Sequence, residues 1–132
     1  MKSGVTSSLF PEAGLQKQTD FTQLYTQVYH QLKKDFHPHI EIEPIPENLN
    51  SEWLEQEVYR MITKAVSERS QSLAGIINRV DLSEYQLRKY VTALDEKKKL
   101  TALSKLILKR EALKVWIRHN YTSANKADSD NT

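Results

Sequence analysis

Cysteine is absent from the 132 residues, which removes disulfides, thiolate metal sites and cysteine nucleophiles together. Helix breakers are scarce: there are three glycines and four prolines, and Pro38, Pro44 and Pro46 fall within one short stretch. No run approaches the roughly eighteen apolar residues that a membrane span needs. The opening MKSGVTSSLFPEAG lacks a continuous apolar stretch, so no signal peptide is expected and a cytoplasmic location is. Also missing are a glycine-rich phosphate loop and any nucleophile beside a base. The expectation is therefore a non-enzyme with no catalytic residues and no cofactor.

What is present is helical periodicity. At this length, with 39% apolar residues, one domain with one modest core is expected. From Ser51 to Val80 the residues Leu54, Val58, Met61, Ile62, Ala65, Leu73, Ile76 and Val80 recur at steps of three and four, predicting one long central helix. A first helix is predicted from about Asp20 to Phe36, with Phe21, Leu24, Tyr25, Val28 and Leu32 as its stripe. Ser83 and Gln86 fit the capping box of a short third helix ending near Ala93. The last helix should run from Glu96 to Asn120, with Leu100, Leu103, Leu106, Ile107, Leu113, Ile117 and Tyr121 on its inner side. The fold class is thus all-α, a single small bundle of about four helices. Residues 1–18 are expected to be a flexible N-terminal segment, 19–121 the helical domain and 122–132 a disordered tail.

The stretch HPHIEIEPIPENLN, residues 37–50, alone has a period of two and reads as an extended connector. In that geometry His37, His39, Glu41 and Glu43 share one side, a candidate zinc or nickel set. Packing of Ile40 and Ile42 explains the same alternation without a metal, and no resident metal is expected.

Charge is divided along the chain. Residues 1–66 hold 6 basic and 9 acidic side chains, residues 67–132 hold 13 and 8, and the whole carries a formal +2. Two arginines stand where the helical pattern calls for apolar residues, Arg69 and Arg110. Structural ion pairs, with Asp81 among the expected counter-charges, are the simplest outcome for both.

The segment LAGIINRVDLSEYQLRKYVTAL, residues 73–94, resembles a helix-turn-helix: Ile76, Val80, Leu82, Leu87 and Tyr90 occupy the usual apolar places. Ile77 and Asp81 depart from it, standing where the pattern has a small residue and a glycine. That resemblance implies base contacts from Gln86, Arg88 and Lys89, with Lys98, Lys105 and Lys109 of the basic last helix on the phosphates. A capped structural corner gives the same apolar spacing.

INRVDLSEYQLRKYV and LILKREALKVWIRHNY together resemble segments of small, uncharacterised all-helical bacterial proteins, over less than half of the chain. The resemblance implies a short all-α protein and no activity. Segregated charge on an amphipathic bundle favours a protein-interaction or assembly role, by a protein partner or by self-association and with no membrane. Nucleic-acid binding through residues 73–94 and the basic last helix is the alternative.

Overall fold

A computed structural model describes residues 9–10, 18–68, 70–92 and 94–130, with side chains described no further than Tyr121. Among these residues the fold is all-α, without strands. It comprises α1 (Gln18–Phe36), α2 (Ser51–Glu68), α3 (Ser70–Val80), α4 (Glu84–Leu87), a π-helical turn (Arg88–Thr92) and α5 (Glu96–Asp130). The span predicted as one long helix is thus described as α2 and α3. Position 69 lies outside the described residues, and with it the ion pair expected of Arg69.

Helices α2, α4 and α5 start where a short polar side chain can satisfy an orphan amide. Asn50 Oδ1 accepts from Trp53 N at 2.8 Å ahead of α2, and Asp95 Oδ1 accepts from Lys98 N at 3.0 Å ahead of α5. Ser83 and Gln86 form the full capping box of α4. At the end of α3, Asp81 takes a φ of 70°, the left-handed conformation usually given to glycine. The amides of Asp81 and Leu82 both return to the carbonyl of Ile77, closing the α3 C-terminus.

The core is continuous. Leu24, Val28, Leu32 and Phe36 of α1, Leu54, Val58, Met61, Ile62 and Ala65 of α2, and Ile76 and Val80 of α3 are all fully buried. They meet Leu103, Ile107, Leu108, Ala112 and Val115 of α5, which packs against α1, α2, α3 and the π turn. Most of segment 1–18 lies outside the described residues, yet Phe10 is buried, its ring 5.8 Å from Tyr25 and 5.9 Å from Trp116. At the other end α5 continues through Asp130, past the boundary expected near residue 121. Nothing in TSANKADSDNT breaks a helix already under way, since it lacks both glycine and proline. No described helix is long and apolar enough to cross a membrane.

The connector is only partly extended. His37, Pro38 and His39 form a turn at the end of α1, where the amides of His39 and Ile40 return to the Phe36 carbonyl. Beyond it three side chains pin the backbone. Arg60 Nη2 donates to the Glu41 carbonyl at 3.0 Å, Glu57 Oε2 accepts from the Glu43 amide at 2.7 Å, and Tyr29 Oη donates to the Glu43 carbonyl at 2.7 Å.

Candidate interaction surface

The rotation of α5 about its own axis decides what the protein shows to solvent. At roughly 100° per residue, the expected inner side centres near Leu103. The buried residues are instead Leu103, Ser104, Ile107, Leu108, Glu111, Ala112 and Val115, a face turned by about a third of a revolution. Leu113, Ile117 and Tyr121 are consequently 46%, 53% and 67% exposed, and Leu106 is only half-buried. Leu113 stands about 160° round the helix from Glu111, almost opposite the core. The expectation that these residues face inward is corrected.

A polar knot lies on the buried side of α5. Glu111 is fully buried and Asp35 of α1 nearly so. Lys114 Nζ lies 3.0 Å from Asp35 Oδ2 and 3.1 Å from Glu111 Oε2, and donates to the Arg79 carbonyl at 3.2 Å. Gln31 Nε2 donates to Asp35 at 3.0 Å, and Arg118 Nη2 donates to Gln31 Oε1 at 2.7 Å. Burial, then the adjoining Asp35 carboxyl, pushes Glu111 up to about 9 against the pull of Lys114. Burial would also raise Asp35, but hydrogen bonds from Glu111, Gln31 and Lys114 together with the Lys114 charge outweigh it and leave Asp35 lowered. The two acids thus hold one proton between them at neutral pH. These contacts join α5 to α1 and α3 in the observed rotation.

On the outer side the π turn and α5 enclose a groove of about 470 Å³. Tyr90, Gln86, Ala102, Leu106 and Leu113 line it with Lys105, Lys109 and Arg110. Val91 anchors the turn in the core, and Thr92 Oγ1 donates to the Leu87 carbonyl five residues back at 3.1 Å. At the rim Lys89 Nζ lies 5.6 Å from the Tyr85 ring centre and 5.3 Å from that of Tyr90. Hydrogen bonding to both phenols raises its affinity for the proton. A shallower neighbouring groove joins Tyr59 to Lys97, Lys98 and Lys105.

The residues singled out in the sequence fall into three groups. Lys98, Lys105 and Lys109 lie within about 40° of one another on α5, exposed and beside the apolar row. Arg88 and Lys89 are exposed, whereas the Gln86 side chain accepts from the Ser83 amide at 3.2 Å and is engaged in the cap. The α-helical register behind the helix-turn-helix resemblance ends at Leu87 and gives way to the π turn. Arg110 Nη2 donates to Asp81 Oδ2 at 3.1 Å, across the α3–α4 corner.

The metal set is not assembled: among the described residues no three His, Asp or Glu side chains are placed to hold an ion. The turn at the end of α1 breaks the alternation that aligned them, and the His39 ring is directed at the α3 backbone at Gly75.

The sequence gives no expectation that Glu57 and Glu111 are buried, although Glu111 follows Ile107 and precedes Val115 by four residues each. A carboxylate in an apolar row was the signal. Comparison of the chain with family models, with curated proteins and with solved structures found no match.

Proposed function

We propose that the protein is a non-catalytic interaction module that engages a protein partner through the outer face of α5 and the adjoining π turn. The observation carrying this reading is the row of Leu106, Leu113, Ile117 and Tyr121 turned away from the core. Tyr85 and Tyr90 are exposed as well, so most of the large apolar side chains in water gather in this region. Contiguous apolar surface of this kind marks interfaces, whereas isolated exposed residues do not. Tyrosines fit the same role, because they offer large contact area at low entropic cost.

Affinity capture from native extract tests the reading. Leu113→Asp with Ile117→Asp should abolish capture of proteins that the wild type retains, while Ile45→Asp, at an exposed apolar site on the connector, should not. Equal capture by wild type and the Leu113/Ile117 variant would defeat the proposal.

Nucleic-acid binding is the second reading, favoured by the exposed row of Lys98, Lys105 and Lys109. It uses the same cations but not the apolar row. Duplex affinity should then fall steeply with salt and be indifferent to Leu113→Asp.

A further inference from the structure

Resting on the α5 reading above, we infer that the partner segment is an acidic amphipathic helix, laid along the Leu106–Tyr121 row with its carboxylates toward Lys98, Lys105 and Lys109. The row spans sixteen residues of α5, about 22 Å, which four turns of a second helix would match. Its spacing of three to seven residues is what a helix-in-groove interface reads, and the groove at Tyr90, Leu106 and Leu113 can seat the bulkiest anchor.

Charge complementarity fixes the sign of the partner. The lysine row flanks the apolar row on one side, and Lys89 is held over the tyrosines at the rim. Among the described residues no acidic side chain lines the groove. An apolar helix flanked by Glu or Asp is therefore steered in and held in register.

A second copy of the chain fits less well. An antiparallel pairing through this row sets the lysine flank of one copy against that of the other. An anionic membrane would accept lysines beside apolar residues, but it needs a convex ridge. At Leu106 and Leu113 the apolar surface is instead a furrow between the π turn and α5.

The test uses the full chain and synthetic helical peptides in fluorescence anisotropy. One peptide carries Leu at helical spacing flanked by Glu, a second replaces Glu by Lys, and a third keeps Glu but replaces Leu by Ser. Vesicles of phosphatidylcholine with phosphatidylserine and a random DNA duplex complete the set. Saturable binding is expected for the first peptide alone, weakened at least about tenfold by Leu113→Asp and similarly by Lys105→Glu with Lys109→Glu. The charge-reversed variant should then prefer the lysine peptide, a gain that misfolding cannot produce.

The inference is overturned if the first peptide does not bind saturably, if the Glu and Lys peptides bind equally, or if vesicles or duplex bind more tightly. Concentration-dependent dimerisation lost in Leu113→Asp would overturn it in favour of a second copy. Should no acidic peptide bind while capture from extract still depends on Leu113 and Ile117, the partner class is wrong and the surface stands. Failure of both removes the surface itself.

Discussion

Glu111 is where a single side chain controls most. A carboxyl fully buried among Ile107, Leu108 and Val115 resists ionisation because the charged form has no water to solvate it. Its proton affinity is raised in the fold, from an ordinary 4.5 to about 9, so folding takes up a proton across that interval. The sign follows: stability from this group is greatest below pH 4.5 and declines as pH rises toward 9. Asp35, held low, contributes in the opposite sense, stabilising above its ordinary value of 3.8 and ceasing to do so as pH falls through its lowered one. Glu111→Gln keeps the shape and cannot ionise. Thermal melts between pH 5 and 9 should show the wild type losing stability with rising pH and the variant losing clearly less. Parallel curves would mean that Glu111 ionises normally.

At the scale of elements, the connector and α3 meet through a missing side chain. A Cβ on Gly75 would lie 2.6 Å from Nε2 of His39, closer than real contacts allow. Alanine is favoured over glycine inside a helix by about 1 kcal/mol, while overpacking costs about 1–3 kcal/mol, so the clash should prevail. Gly75→Ala is expected to destabilise by about 1 kcal/mol in denaturant titration. With His39→Ala already in place, the same change should stabilise by up to about 1 kcal/mol. Identical effects in both backgrounds would show that the imidazole simply swings aside. Most of this level was legible in the sequence. The caps at Asn50 and Ser83, the end of α1 before Pro38 and the start of α5 at Glu96 all follow from local side-chain chemistry. The rotation of α5 was not, because Leu106, Leu113 and Ile117 look like a core face while Ser104 and Glu111 do not.

For the whole molecule, the question is how far the acidic first half and basic second half attract each other. Among the described residues a few pairs join distant elements. Lys114–Asp35 is shielded, at 18% and 8% side-chain exposure, whereas Asp81 in the Arg110 pair is 77% exposed. Exposed pairs contribute about 0–1 kcal/mol and are screened, while apolar burial across α1, α2, α3 and α5 is indifferent to salt. Raising ionic strength from roughly 0.05 to 0.5 M should therefore move the melting temperature by no more than a few degrees. Binding of the acidic helix should weaken markedly over the same range, since its lysines are in solvent. A large salt effect on melting would show instead that long-range charge holds the bundle together.

The sequence by itself determined the all-α class, the positions of the helices and the basic character of α5. These depend on neighbours three or four residues away and on the three prolines gathered at the connector. Tertiary structure alone decided which face of α5 is buried. That choice depends on Asp35 and Gln31, some eighty residues earlier, meeting Lys114, Glu111 and Arg118. A polar knot assembled from distant positions leaves no periodic trace, and Leu103, Ile107, Leu108, Ala112 and Val115 of the same face already fill the core that Leu113 and Ile117 would otherwise enter. The apolar row is left to solvent for that reason, and the candidate surface exists because of it.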